Sequence, residues 1–479
     1  ALDHPDQAAF YTSGRASNEA AFLYQLFVRA FGTNNFPDCS NMCHETTSVG
    51  LRDSIGLGKG TVTLEDFDIA DAIFSFGHNP GTNHPRMLGT LREVSRRGGN
   101  IVAINPLKER GLERFQDPQA AVEMMTNGST PISRYYFQPN VGGDYALMFG
   151  MLKHLREWDI QALAAGKKSV FDRSFIEMNT VGFDAMMEEI DRTAWSDIHT
   201  HTGLSPEHLE SLAKMYLDAK TAIFCWGMGI TQHRHGTANV HMLANLMLAR
   251  GHIGRPGAGL APIRGHSNVQ GDRTMGINER PSPKLLDSLD RVFGIKSPRE
   301  HGFGVVDTIQ AMYEGDVKVF IGLGGNFAVA TPDTPYTQEG LRRCDLTVQI
   351  ATKLNRSHLV CGKEALLLPC LGRTEVDMQQ HGPQAVSVED SMSNVHLSAG
   401  RNEPASKNLL SEPDIVARMA AAVLPDSDIK WKWYVESYDR IRDSIEEVFD
   451  EFHDFNARVY QPGGFHLEHP AISMYGIRL

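Results

Sequence analysis

No C-x-x-C pair occurs in this sequence. Its six cysteines, Cys39, Cys43, Cys225, Cys344, Cys361 and Cys370, show no zinc-ribbon or ferredoxin spacing. That argues against a structural zinc or iron–sulfur module among these residues. Such cysteine usage fits a reducing compartment, and a cytoplasmic location is expected. No apolar run reaches 18 residues, so no membrane-spanning helix is expected, and no signal peptide is visible. No G-x-G-x-x-G follows a strand-like segment and no Walker A motif is present, which leaves a Rossmann-type nicotinamide dehydrogenase unsupported. Positive charge is also short: 46 Lys and Arg stand against 58 Asp and Glu, a formal net charge of −12. A nucleic-acid partner is therefore not indicated. A small anionic ligand stays possible, because one arginine or a helix N-terminus overrides the global charge locally.

What remains is ordinary for a globular protein: 479 residues, 41% hydrophobic and 22% charged. This length predicts two large domains or two to four smaller ones, with enough core to need no staples.

Apolar strands alternate with helical stretches along the chain. A strand at Ala9-Phe10-Tyr11 leads to a helix capped by Ser17 or Asn18 that runs to about Arg29, with Gly32 as its stop. Ala72–Phe76 and Ile101–Ile104 read as strands around a helix near Pro85–Arg96, and another helix covers about Asp144–Trp158. Ser205-Pro206-Glu207 starts a helix that feeds the strand Ala222–Trp226, followed by a helix near Ala238–Arg250. After the Gly/Pro-rich stretch Gly251–Gly276, strands recur at Val317–Ile321 and Leu346–Ile350, and Trp431–Phe452 reads as one acidic amphipathic helix. The alternation predicts an α/β protein with two doubly wound domains and mainly parallel sheets. Such sheets bind ligands in the loops at the carboxyl ends of their strands.

Two segments carry candidate chemistry. In Asp38-Cys39-Ser40-Asn41-Met42-Cys43-His44-Glu45, Cys43 can offer a soft thiolate to a metal and His44 a titratable base beside it. A buried Cys next to a surface His reads equally well from the local pattern. In Gly257–Gly271, glycines and short polar side chains permit close backbone approach to a bulky ligand, and the Arg264 fork can pair with a carboxylate or phosphate. A Gly-rich surface loop is the plainer alternative. Weaker signals are the loops Gly77–Pro85, Asn105-Pro106, Gly142-Gly143-Asp144 and Gly227-Met228-Gly229, each an ordinary βα turn when taken alone. The segment Phe320–Phe327 echoes Phe74–Pro80, an apolar strand running into a glycine turn with an asparagine. Gln232-His233-Arg234-His235 with His241 matches no common zinc motif.

Taken in order, these segments resemble the molybdopterin oxidoreductases of the dimethyl-sulfoxide-reductase superfamily. Within it they are most similar to the formate-dehydrogenase alpha-subunit-like branch that is linked to acid resistance. Ser13–Glu19, with Arg15 and Asn18, looks like the family's first cofactor-facing strand and helix. Cys43-His44 falls where the family places its metal-ligating Cys or selenocysteine and a catalytic His. Gly77, Asn79 and Pro80, with His84, look like its G-x-N-P…H-P loop. Gly227-Met228-Gly229 with Gln232, and Arg264-Gly265-His266 with Asn268 and Gln270, are the most specific matches. Thr352-Lys353 resembles a later cofactor segment. The resemblance implies two molybdopterin guanine dinucleotides holding molybdenum or tungsten, with Cys43 as protein ligand. Cys43, His44 and Arg264 would be catalytic. The residues named above, with Asn105, Pro106, Gly143, Asp144, Gly324 and Asn326, would contact the cofactor. It implies a small anionic substrate such as formate, oxidised to carbon dioxide, or another two-electron reaction at the metal, with electrons passing to an unidentified acceptor. A 4Fe–4S cluster would be expected only in a segment preceding this sequence. Two departures stand out: His266 occupies a position where relatives carry Gln, and the four-Cys motif before the first strand is absent.

The alternatives are an oxyanion reductase of the nitrate-reductase kind and a structural subunit of a redox complex that keeps the fold without the metal. The expected architecture has one domain inserted in the other: 1–38 plus 266–460 as the split domain and 39–265 as the insert. The cofactor is expected in the cleft between them, and 461–479 is expected to begin a C-terminal cap.

Overall fold

The computed structural model describes residues 3–467 and the backbone of the short strand Ile477–Arg478. The expected cap segment therefore falls largely outside the described residues. The chain is mixed α/β. Its parallel sheets use β1 (Ala8–Thr12), β2 (Ala72–Phe76), β3 (Asn100–Ile104), β4 (Tyr135–Phe137), β5 (Ala222–Trp226), β6 (Gly259–Pro262), β7 (Val319–Leu323), β8 (Leu346–Ala351) and β9 (Glu364–Pro369). The chain divides into two compact units, Ala1–Met42 with His266–Glu468, and Cys43–Gly265 with His469–Leu479. No described helix is long and apolar enough to cross a membrane.

In the first unit the sheet order is β1-β7-β8-β9, all parallel, with Phe10 opposite Ile321 and Ile321 opposite Val348. Helix α1 (Asn18–Phe31) begins as the sequence implies: the Ser17 hydroxyl accepts the Ala20 N–H at 3.1 Å. It ends at Gly32, whose φ of 107° suits a residue without Cβ. Ala20–Val28 are all buried, so the helix is covered on every side rather than along one stripe. Phe10 packs edge-on against Tyr24, Phe27 and Phe31, seating α1 on the sheet. Residues 386–398 form an antiparallel pair, Val386–Glu389 with Asn394–Ser398, that no strand–helix alternation announces.

The single helix expected over Trp431–Phe452 is instead Trp431–Glu436, Asp439–Val448 and a 3-10 turn at Asp450–Phe452. The break has a tertiary cause. Ser437 is extended, the Tyr438 N–H donates to Gln384 Oε1 at 2.8 Å, and the buried Tyr438 hydroxyl bonds to Asp377 and Ser411. These partners lie outside the helix and outbid one turn of it.

The second unit carries the sheet β4-β3-β2-β5-β6, again all parallel. Ala72–Phe76 and Ala222–Trp226 are buried at every position, which is why both read as unbroken apolar runs instead of alternating ones. Phe74, Phe76, Phe224 and Tyr216 form an aromatic core on this sheet. From β2 the chain runs outward one way through β3 and β4, then returns to the far side of β2 through β5 and β6. The order thus reverses between β2 and β5, and parallel sheets open a ligand crevice at the carboxyl ends of such strands. The Gly/Pro-rich stretch after Gly251 supplies β6 itself.

Candidate active site

Helices α2 (Cys39–Cys43) and α3 (Glu45–Ile55) carry the Cys-His motif, with His44 at the junction. Cys43 is half-buried, and its carbonyl accepts the Thr231 hydroxyl at 2.7 Å. His44 is buried outright. Its Nδ1 lies 3.1 Å from Thr47 Oγ1, which also accepts the Trp226 indole N–H at 3.0 Å. The Ile263 carbonyl beside Nε2 can only accept, so neutral His44 carries its proton on Nε2 and takes the Thr47 hydroxyl hydrogen at Nδ1. The ring proton of neutral His44 then sits on Nε2, facing the Ile263 carbonyl without closing a well-formed bond. Burial, then Arg264, His84 and His78, hold this imidazole well below the ordinary histidine range. His44 is therefore a neutral ring of fixed tautomer, one residue after the thiol.

The loops after β2 and β6 meet the same cluster. Arg264 is buried, and its Nη2 donates to the Gly58 carbonyl at 3.0 Å and toward Ser48 Oγ at 3.4 Å. His84 Nε2 donates to the Arg264 carbonyl at 2.9 Å, and His84 Nδ1 lies 2.9 Å from His78 Nε2. Burial is the main cause lowering His84, and burial followed by His84 brings His78 to about 3. Around Arg264 the imidazoles are thus uncharged, and the guanidinium is the fixed positive charge offered to an anion.

The glycines of these loops divide into two kinds. A Cβ on Gly77 (φ 52°) would stand 2.9 Å from the Gly229 main chain, and one on Gly229 would stand 2.7 Å from Gly77 Cα. These glycines, with Gly227 against the Gly77 carbonyl, let the β2 and β5 loops close on each other. Gly265 differs: nothing lies within 4 Å of its added Cβ. Around them Asn79 donates to Glu109 at 2.7 Å, Pro80 is buried, and Met228, Gly229 and Gln232 are exposed. Asn105 folds back on the Leu107 carbonyl beside half-buried Pro106. Gly143 and Asp144 open a helix at 144–164, with burial raising Asp144 to about 6.

In the first unit the expected contact residues separate by exposure. Arg15, Thr352 and Lys353 are exposed, and Asn326 half-buried, in loops at the carboxyl ends of β1, β8 and β7. Gly324 turns at φ 72°, where a Cβ would strike Ser13 Oγ. By contrast Asn18, Asn268 and Gln270 are sealed inside. Asn268 donates to the Ala16 carbonyl and to Asn18 Oδ1, and accepts the Glu389 N–H, while Gln270 donates to Glu389, Asp390 and Ser393. Their work is to tie α1 to the 386–398 pair. His266 Nδ1 lies 2.8 Å from the buried Cys39 thiol, a pairing the sequence does not announce. Sequence reasoning also misses Thr47, whose only local signal is its place three residues after His44 on one helix face.

Residues 2–358 match the molybdopterin oxidoreductase family. The chain belongs to that family. It is 54% identical over 463 residues to Protein YdeP of Escherichia coli K12, a match covering 97% of this chain and 61% of the relative. The chain therefore spans about three fifths of the length of that curated relative. Formate dehydrogenase H of the same organism is 28% identical over 325 residues, covering 66% of this chain and 42% of that protein. Among solved structures, acetylene hydratase from Pelobacter acetylenicus superposes with a TM-score of 0.66 at 16% identity, over 88% of this chain and 56% of that one. That likeness supports the fold alone. Family membership implies a molybdopterin cofactor with molybdenum or tungsten.

Proposed function

We propose that the chain is the cofactor-holding part of an enzyme that oxidises formate to carbon dioxide, with the metal held by two molybdopterin guanine dinucleotides and the Cys43 thiolate. The observation that carries the reading is that the His44 ring, adjacent in sequence to half-exposed Cys43, shares one electrostatic cluster with Arg264. The donor set suits the group: a partly accessible thiol for a soft metal, open space at Gly265, and neutral imidazoles in place of competing cations. When bound, the metal–pterin group takes up the two electrons released as formate becomes carbon dioxide and one proton.

The protein's own part is to bind and orient. Arg264 pairs with the substrate carboxylate, which gives formate a single charged anchor. His44, neutral and buried, is assigned the released proton at Nδ1, its acceptor nitrogen, as the Thr47 hydroxyl turns away from it. Buried surroundings strengthen both interactions by excluding water. The similarity to formate dehydrogenase H supports this substrate class. The test is elemental and pterin analysis of anaerobically purified, full-length protein, followed by formate oxidation with an artificial dye. Stoichiometric molybdenum or tungsten with dye reduction is the expected result. Protein free of both metals and of pterin would overturn the reading.

A further inference from the structure

The two histidines of the β2 loop, His78 and His84, have no role in the reading above. His84 Nε2 lies 2.9 Å from the Arg264 carbonyl, an atom that can only accept, so His84 carries its proton on Nε2. Its Nδ1 is then an acceptor, and the 2.9 Å contact to His78 Nε2 puts the His78 proton on Nε2 as well. The direction of the chain is fixed: His78 donates to His84, and His84 donates to the Arg264 main chain. His78 Nδ1 is left as a buried acceptor with no hydrogen-bond partner among the described residues, in a ring only 4% exposed. A carbonyl cannot hand a proton onward, so this chain is no proton wire. It is a clamp.

A second chain runs beside it. Trp226 donates to Thr47, Thr47 to His44, and His44 faces the carbonyl of Ile263. His84 thus holds the Arg264 carbonyl at the end of β6, His44 faces the neighbouring Ile263 carbonyl, and the Ile263 N–H is fixed by the Trp226 carbonyl at 2.9 Å. The imidazoles at these two carbonyls are uncharged, so the clamp holds the arginine without placing a rival cation beside it. A lysine or arginine in the same place would hold the carbonyl equally well but would divide the attraction for an anion.

We propose that His78 is a positioning residue which, through His84, sets the orientation of Arg264 toward a small carboxylate. The proposal rests on the formate reading for its substrate but not for its geometry. His78→Phe keeps an aromatic ring of similar size and removes the donated N–H, and His78→Gln restores an N–H donor. In full-length holoenzyme, H78F is expected to raise the formate KM about tenfold with kcat within about threefold of wild type, and H78Q to recover most of the loss. A loss of kcat alone, or no rescue by H78Q, would overturn the proposal. The geometry is read separately by 15N chemical shifts of labelled histidines. His84 should report a neutral ring protonated on Nε2, and its Nδ1 resonance should move in H78F. An unmoved His84 resonance also overturns the clamp. Wild-type protein that loads its cofactor but ignores formate, while His84 moves in H78F, would sink the substrate reading and leave the clamp standing.

Discussion

Glu19 and Arg442, 423 positions apart in the chain, form an ion pair at 2.8 Å with side chains 0% and 1% exposed. Glu19 stands in the first turn of α1 and also accepts the Ser387 N–H at 2.8 Å. Arg442 further reaches Asn456 at 2.6 Å and the Ala385 carbonyl at 3.1 Å. Burial costs the charges their hydration, and these bonds return it. Removing one partner strands the other. Arg442→Met is expected to destabilise the protein by about 3–5 kcal/mol, and the double change Glu19→Leu with Arg442→Met by clearly less. Denaturant titration of the four variants decides it, and a double mutant as unstable as the sum of the singles would contradict the pairing.

Cys43→Ala should abolish dye-linked formate oxidation while the melting temperature stays within a few degrees of wild type. The side chain is half-buried, so little packing is lost. Wild-type turnover by C43A would refute its assignment as the metal ligand.

Arg264→Lys should not rescue Arg264→Ala. The planar guanidinium spreads its N–H donors over three nitrogens, of which Nη2 holds the Gly58 carbonyl and points toward Ser48, whereas an ammonium must make every bond from one nitrogen. Both variants are expected to raise the formate KM by at least tenfold. An R264K enzyme with native KM would show that charge alone is enough.

Thr47→Val removes the hydroxyl between the Trp226 indole and His44 while nearly conserving volume. It leaves two buried groups unpaired, at a cost of about 1–3 kcal/mol each. Urea unfolding should show that loss. A difference under 0.5 kcal/mol, an order-of-magnitude threshold set by the weakest net hydrogen bonds, would mean the hydroxyl does not bridge them.

Two desolvated groups, the buried His252 and the half-buried Glu412, should shift stability with pH in opposite directions. His252 is 1% exposed, and burial, followed by Arg250 and Arg255, lowers it to about 3. The unfolded chain takes up this proton near the ordinary histidine value of about 6.5. Stability is therefore full above that value and is lost as pH falls toward 3, by up to ~1.4 kcal/mol per pH unit. Burial raises Glu412 to about 7 despite Arg373 nearby. Its contribution is full below about 4.5, the ordinary glutamate range, and is lost as pH rises toward 7. Relative to wild type, His252→Gln should flatten the acid limb of a stability–pH curve, and Glu412→Gln should flatten the limb between pH 4.5 and 7. Parallel curves for either variant would show that the group is not the one titrating.

Local sequence determined the regular elements. Ser17 and Gly32 bound α1 because a cap hydroxyl and a left-handed turn are chosen by single residues. Ala72–Phe76 and Ala222–Trp226 announce strands buried on both faces because continuous apolar runs have no exposed side. The motif around Cys43 was ambiguous by its local pattern, and its expected role came from the ordered resemblance to the family rather than from the residues alone. Tertiary structure alone decided which distant polar groups pair with one another. Asn268 and Gln270 spend their hydrogen bonds on residues near 389, and Tyr438 breaks an expected helix for partners at 377, 384 and 411. The tautomers of His44, His78 and His84 follow from carbonyls at 263 and 264. Propensity and periodicity act over a few neighbouring residues. Hydrogen-bond saturation and charge burial depend on what the folded chain brings within about 3 Å, whatever the separation in sequence.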